Sequence, residues 1–210
     1  MDDHDQTSPG MPALGPPPPF TADRLLLFGT GSLAAALLPF WINWFRNFYP
    51  EPDLRIVITR SAERFVSRGA LAPLIGRDVP LDTWPEHPGA DVPHVRYAEW
   101  PDAIVVYPAT MHFIARFALG FTDTPMLSAL QCTTAAIAVA PTLPPGGENN
   151  PVTQRHLKDL GDRPNIEVVP PVPGRSASSG RGGGNAAPPL PAVLDRLERL
   201  RSRIREDGRA

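Results

Sequence analysis

The sequence has a single cysteine, Cys132, among its 210 residues. One thiol excludes an internal disulfide framework and a zinc site built from cysteines. It also leaves the cytoplasm as the expected compartment. Because Cys132 lies in the apolar-to-polar segment LQCTTAA, we expect it to be a small buried residue rather than a nucleophile.

The chain also lacks an excess of charge of either sign. Twenty Lys and Arg stand against 22 Asp and Glu. No overall field therefore attracts nucleic acid or a membrane surface, and we expect neither as a partner.

One stretch, from Arg24 to Arg46, carries no charge between its two ends and is long enough to span a bilayer. A strand, a turn and a helix explain it better, because glycines, Pro39 and Asn43 interrupt the run and the chain has only one such run. A signal peptide is disfavoured, because the residues before the run are acidic and include no basic region.

Proline is abundant and unevenly placed, with six of the 28 prolines in the first 19 residues and eleven between Pro141 and Pro191. We expect residues 1–22 to be a disordered Pro-rich leader and residues 23–173 to be the folded domain. Residues 174–210 begin with a Gly- and Ser-rich stretch that reads as a flexible lid. They end in an amphipathic helix that packs on the domain or on a neighbouring subunit.

Short apolar runs alternate with helical segments along the domain. The predicted strands are Leu25–Phe28, Leu54–Thr59, Ala103–Tyr107, Ala135–Ala140 and a short one at Ile166–Val169. This alternation predicts an α/β fold with a doubly wound parallel sheet, a Rossmann- or flavodoxin-like three-layer sandwich.

The first strand ends in the turn Gly29-Thr30-Gly31-Ser32, and Ser32 is a plausible helix cap. A strand, a glycine turn and a helix start present backbone N–H groups to an anion, usually a phosphate. The signal is incomplete, because Ala34 stands where a third glycine of G-x-G-x-x-G would be.

The second strand ends in two hydroxyl residues, Thr59 and Ser61, and the third leads into Pro108-Ala109-Thr110-Met111-His112. Carboxyl ends of parallel strands meet at one crevice, so these groups should lie beside the glycine turn. His94 and His112 are the plausible proton-handling groups there. The strand ends offer neither a nucleophile–base pair nor a metal cluster.

Three segments stand out along the domain: GTGS at 29–32, the pattern T-R-S-A-x-x-F at Thr59–Phe65, and HVRYAEWPD at His94–Asp102. These segments resemble motifs of the homo-oligomeric flavin-containing cysteine decarboxylases and occur in the same order as in that family. The resemblance runs from residue 25 to about residue 174. The family includes phosphopantothenoylcysteine decarboxylase and the lantibiotic-type peptidyl-cysteine decarboxylases.

The resemblance implies a flavin, FMN or FAD, and a catalytic role for His94, with His112 beside it. The residues it implies for cofactor binding are Gly29, Gly31, Ser32, Thr59, Ser61, Phe65, Thr110, Met111, His112, Phe113 and Thr142. In the chemistry of the family, a hydride passes from the C-terminal cysteine of a peptide to the flavin. The resulting thioaldehyde then loses carbon dioxide to leave an aminoenethiol, as in aminovinyl-cysteine formation.

This chain departs from the family in two motifs. His112 replaces an asparagine expected to contact the substrate carboxylate, and 141–151 carries Leu143, Pro144, Gly147 and Glu148 where the family has Met, Asn, Met and Trp. Phosphopantothenoylcysteine decarboxylase reduces its enethiol with a cysteine in the flexible segment, but residues 174–187 contain none. We therefore expect an oxidative peptidyl-cysteine decarboxylase acting on a precursor peptide that ends in cysteine.

The resemblance also implies trimers or assemblies of trimers. Three other functions remain open: phosphopantothenoylcysteine decarboxylation in coenzyme A synthesis, a flavin prenyltransferase of related fold, and a non-catalytic flavoprotein.

Overall fold

Five parallel strands form the main sheet of the computed structural model, which describes residues 16–87, 92–175 and 182–208. The strands lie in the order β2-β1-β3-β4-β5. Their bounds are β1 Arg24–Gly29, β2 Asp53–Ile58, β3 Ala103–Thr110, β4 Ala136–Thr142 and β5 Ile166–Val168. This flavodoxin-like order confirms the predicted doubly wound sheet.

Helices cover both faces of the sheet, which is why the strands are almost wholly apolar. Along β1, Leu25 and Leu27 pack towards one helical layer and Leu26 and Phe28 towards the other, as strand geometry requires. The first layer contains α1 Leu38–Phe48, α2 Arg68–Ile75 and α7 Leu190–Glu206. The second contains α3 Pro93–Glu99, α4 Met111–Ala118, α5 Pro125–Cys132 and α6 Pro151–Gly161.

The helix expected directly after the glycine turn begins differently from the prediction. A 3₁₀ helix spans Leu33–Leu37, and the α-helix starts only at Leu38. Pro39 lies in the first turn of α1, where its missing N–H removes no helical hydrogen bond. A second short 3₁₀ helix, Ala62–Arg64, follows β2.

The segment expected to be a flexible lid contains an antiparallel hairpin of β6 Val172–Arg175 and β7 Gly182–Ala186. Its centre, 176–181, lies outside the described residues. The helix α7 that follows buries Leu194 and Leu197 in the first layer, so it packs on the domain, one of the two places expected for it.

The leader prediction concerns mostly 1–15, which lie outside the described residues. Its last part is packed rather than free. Phe20 meets the rings of Phe45 and Tyr49, with centroids 5.7 and 5.6 Å away, and Ala22 is buried.

The expectation for Cys132 is wrong, because the residue is exposed. It is the last residue of α5, whose buried side is formed by Met126, Leu127, Ala129 and Leu130. Position 132 lies outside this buried side of the helix and faces solvent.

None of the helices in the described part of the chain combines the length and the apolar character that crossing a bilayer requires.

Candidate active site

The loops after β1, β2, β3 and β4 meet at the carboxyl edge of the sheet, because the four strands are parallel. The sheet order places the switch point, where successive connections diverge to opposite sides, between β1 and β3. The structure therefore brings the glycine turn beside Thr59, Ser61 and the start of α4. Thr110 and Thr142 are register partners at the ends of β3 and β4.

Gly31 makes the closest backbone approach in the crevice. A Cβ added there would lie 2.5 Å from Oγ and 2.7 Å from the carbonyl carbon of Ser61. Only glycine allows the turn to pass this closely to the end of β2. Gly29 is also restricted, because its added Cβ would lie 3.1 Å from side-chain atoms of Ile58 and Leu38.

Thr30 joins the ends of β1 and β3, a role that sequence reasoning missed. Its hydroxyl donates to the carbonyl of Pro108 at 2.6 Å and accepts the N–H of Thr110 at 3.0 Å. The side chain is 1% exposed. The one sequence feature that could have indicated this role is the position of Thr30 between the two glycines of the turn.

Besides Thr30, three hydroxyl side chains lie in or beside the turn, and they differ in their hydrogen bonding. Thr59 Oγ1 and Ser61 Oγ lie 2.9 Å apart, and Thr59 Oγ1 also accepts the N–H of Ala62. Ser32 occupies the N-cap position without making a side-chain cap bond. Its Oγ is buried and has no hydrogen-bond partner among the described residues.

This arrangement fits the phosphate of a flavin. An unpaired buried hydroxyl is costly unless a ligand completes it. Ser32 lies in a glycine turn that a side chain at position 31 would fill, at the start of a helical segment. Such a cradle offers the Ser32 hydroxyl as a donor to an anion.

The remaining predicted cofactor residues divide into two groups. Phe65 and Met111 are 39% and 38% exposed beside the crevice loops, where they are accessible to a ring system. Phe113 is buried and its ring lies 5.3 Å from that of Phe28. The N–H of Phe113 is donated to Thr110 Oγ1 at 3.3 Å, so this residue supports the floor of the crevice.

His94 lies at the start of α3. Because α3 precedes the parallel strand β3, its first residues lie at the same edge of the sheet as the glycine turn. The imidazole meets the indole of Trp84 edge to face, with ring centroids 5.3 Å apart. Its Nδ1 is buried, and no residue that the structure describes forms a hydrogen bond with it.

His112 is exposed in the first turn of α4, near the carboxylate of Asp123. That carboxylate pairs with Arg116 at 2.5 Å. The hydrogen bond from Arg116 is the main cause that lowers the pKa of Asp123, and the charge of His112 adds to it. Trp84 donates its N–H to the backbone carbonyl of Asp123 at 2.9 Å, so Trp84 and Asp123 connect the surroundings of the two histidines.

Asp82 is a buried carboxylate at the same edge, 7% exposed. Burial raises its pKa, against the lowering effects of the Met126 N–H, the Thr124 hydroxyl and the charge of Arg116. No group of three or more His, Cys, Asp or Glu side chains able to hold a metal ion occurs within 16–87, 92–175 and 182–208.

The altered motif after β4 is held by the hairpin. Leu143 and Asn185 exchange two backbone hydrogen bonds of 2.9 and 3.1 Å. The side-chain amide of Asn185 donates to the carboxylate of Glu148. The backbone carbonyl of Asn185 lies 3.5 Å from Thr142 Oγ1. The hairpin and the motif therefore form one wall at the end of β4.

A protein-family model described as "Flavoprotein" matches residues 19–200. Cypemycin cysteine dehydrogenase (decarboxylating) from Streptomyces sp is 34% identical to this chain over 185 residues, which cover 87% of this chain and 94% of that protein. Phosphopantothenoylcysteine decarboxylase from Oryza sativa subsp. japonica is 31% identical over 84% of this chain and 80% of its own length. The crystal structure of the cypemycin decarboxylase CypD superposes with a TM-score of 0.73 at 30% identity, covering 93% of this chain and 100% of that one.

Proposed function

Because the chain belongs to the Flavoprotein family, we propose that it is a flavin-dependent enzyme that oxidatively decarboxylates the C-terminal cysteine of a ribosomally made precursor peptide. One observation carries this proposal. The glycine turn with the buried Ser32 hydroxyl and the imidazole of His94 lie at the same edge of one sheet. The glycine turn is thus available to the phosphate of the flavin, and the imidazole is available to the substrate at the same edge.

The glycine turn and its neighbours would hold the flavin. The Ser32 hydroxyl would donate to the phosphate, while Thr59 and Ser61 would contribute hydroxyls from the loop after β2. Phe65 and Met111, which are exposed apolar side chains, would contact the ring system of the flavin. When bound, a flavin supplies the two-electron oxidant for the cysteine side chain.

The two histidines would act on the substrate. His94 accepts the thiol proton of the terminal cysteine, a general-base role that suits an imidazole near neutral pH. His112 donates a hydrogen bond to the terminal carboxylate in place of the family asparagine. The hairpin and residues 143–148 close one side of the peptide site.

Two comparisons support this substrate. The Streptomyces relative is named for the dehydrogenation and decarboxylation of cysteine, and it aligns over nearly its whole length. The resemblance to phosphopantothenoylcysteine decarboxylase implies a reducing cysteine in the segment after the sheet, and 174–187 contain no cysteine here. The reaction should therefore stop at the aminoenethiol.

The test uses short synthetic peptides that end in cysteine. Peptide incubated with the purified yellow protein should lose the mass of carbon dioxide plus two hydrogens. Peptides ending in serine, or in cysteine amide, should keep their mass because they lack the thiol or the carboxylate. Intact cysteine peptides after incubation with flavin-loaded protein would contradict the proposal.

Two further measurements separate the alternatives. His94→Asn should bind flavin but lose decarboxylation, whereas a non-catalytic flavoprotein would behave the same with either residue. Turnover of phosphopantothenoylcysteine instead of the peptides would favour coenzyme A synthesis. Chromatography of the released cofactor distinguishes FMN from FAD.

The proposed enzyme is a homo-oligomer, a trimer or an assembly of trimers. Leu33, Leu37 and Phe40 are 58%, 52% and 44% exposed along one segment beside the crevice. Exposed apolar side chains this close together are typical of a contact between subunits. Light scattering should give a mass that is a multiple of three chains, and Leu37→Glu should lower it.

Cytoplasmic location and the lack of membrane or nucleic-acid partners stay predictions.

A further inference from the structure

Trp84 contacts the ring of His94, although the proposed function gives it no role. Its indole lies edge to face against the imidazole of His94, at 5.3 Å between centroids and 68° between planes. Aromatic pairs with this geometry favour one mutual orientation. Since Trp84 is 44% exposed, core packing alone does not account for it.

The other side of the indole is tied to the loop before α5. Trp84 Nε1 donates to the carbonyl of Asp123 at 2.9 Å. The carboxylate of Asp123 is in turn paired with Arg116 on α4 at 2.5 Å. The indole therefore connects α3 to the α4–α5 loop.

The backbone that carries Trp84 is fixed two residues earlier. The N–H of Asp82 donates to the carbonyl of Ile58 at 2.8 Å, which attaches it to the end of β2. The Asp82 carboxylate accepts the N–H of Met126 at 2.9 Å in the first turn of α5. A buried acceptor at a helix start is a strong tether.

The Nδ1 side of the His94 ring is buried, and within the described ranges no hydrogen bond holds it. Rotation of the imidazole is therefore limited by packing, and the indole supplies the aromatic contact. A small misorientation of a catalytic group lowers the rate steeply.

We propose that Trp84 is a positioning residue for His94. The indole, held at its N–H by Asp123 and at its backbone by Asp82, fixes the orientation in which the imidazole meets the substrate. The catalytic consequence rests on the proposed function, whereas the contact between the two rings can be measured without turnover.

The first measurement is nuclear magnetic resonance of the histidine Cε1–H groups in the full chain, with the His94 signal assigned from its loss in His94→Asn. In Trp84→Leu, the removal of the indole ring current should move this signal. Trp84→Phe keeps an aromatic edge and should move it less. Phe48→Leu is the matched control, because Phe48 is a 50% exposed aromatic at the far end of α1.

The second measurement is steady-state kinetics with a cysteine-ending peptide. Trp84→Leu should lower kcat on the order of tenfold while KM stays within about twofold, because substrate binding is retained and the imidazole is misplaced. Trp84→Phe should recover most of kcat, and Phe48→Leu should match the unmodified protein.

Two results would overturn the inference. One is a His94 signal unchanged by Trp84→Leu, since the rings would then not be in contact. The other is a moved signal together with unchanged kcat. If the unmodified protein turns over no peptide, the proposed function fails, and the resonance experiment still decides whether the indole and the imidazole are in contact.

Discussion

The two ends of the parallel sheet differ in how their polar side chains are satisfied. At the amino end, Glu198 on α7 accepts hydrogen bonds from the N–H and hydroxyl of Thr21, from Arg201 and from Arg205. At the carboxyl end, Ser32 Oγ and His94 Nδ1 are buried with no partner in the part of the chain that is described.

The difference also decides how a cavity at the amino end is interpreted. A cavity of about 290 Å³ lies at the amino end, lined in part by Arg24, Asp102, Arg201 and Arg205. Each of these charges already has an opposite charge within 4.0 Å. The carboxyl end holds the donors that a ligand would complete, so we assign fold stability to the amino end and ligand binding to the carboxyl end.

The most damaging substitution at the amino end should be Glu198→Ala. It leaves Arg201, whose side chain is 10% exposed, without its nearest partner. Removing one member of a buried pair costs about 3–5 kcal/mol. Urea unfolding should show this loss, while the flavin content per folded molecule stays unchanged.

Glu206→Ala is the control for that experiment, since Glu206 is exposed in the same helix and should change stability by less than about 0.5 kcal/mol. Equal effects of the two substitutions would contradict the stabilising role of the network.

Gly31→Ala tests the carboxyl end. The new Cβ would overlap Ser61 at 2.5–2.7 Å, so the turn must shift away from the end of β2. Overpacking of this kind costs about 1–3 kcal/mol, and we expect flavin affinity to fall by up to about 100-fold. Absorbance of the purified protein and titration with added flavin measure the loss.

Gly69→Ala is the matched control for Gly31→Ala. Gly69 lies in α2, and the nearest atom to an added Cβ there is Ser67 Oγ at 3.9 Å. Alanine within a helix should add about 0.5–1 kcal/mol of stability and leave flavin binding intact. Normal flavin content in Gly31→Ala would remove the turn from the binding site.

The main features of the carboxyl end could be predicted from the sequence, because parallel strands deliver their following residues to one edge. Gly31, Ser32, Thr59 and Ser61 needed only strand identification to be placed together. Asp82 could not be placed, since its partner Met126 lies 44 positions away in the chain. Such pairings depend on how helices dock, and no local pattern encodes them.

Two other misses have the same physical origin. Thr30 and Trp84 act through carbonyls of Pro108 and Asp123, and any residue type offers a carbonyl. Cys132 was wrongly expected to be buried. It is exposed because the buried side of α5 ends at Leu130. Side-chain chemistry was therefore easier to predict than backbone partnership.

Ser32→Ala should have opposite effects on stability and on binding. The substitution removes a buried hydroxyl that has no hydrogen-bond partner within the described residues, so the flavin-free protein should gain about 1 kcal/mol of stability. Flavin binding should weaken by a similar amount, roughly fivefold in Kd. Thermal unfolding of the flavin-free protein and flavin titration give the two signs, and the same sign in both would contradict the phosphate role.

The smallest expected effects concern pH, and they differ in sign between the two ends. Burial raises the pKa of Asp82 above its ordinary value. The folded protein therefore holds that proton more tightly than the unfolded chain. The contribution of Asp82 to stability is complete below the ordinary pKa and is lost as pH rises through the raised one.

Glu198 behaves in the opposite way. Burial alone would raise its pKa, but the hydrogen bonds from Thr21 and Arg201 outweigh burial and lower it. Its contribution is present above the ordinary pKa and is lost as pH falls through the lowered one. Unfolding free energies measured at acidic pH should thus rise less steeply with pH in Glu198→Gln and more steeply in Asp82→Asn. Slopes that change in the same direction would mean that the two carboxylates do not differ as their surroundings require, and the contrast between the two ends of the sheet would not extend to proton binding.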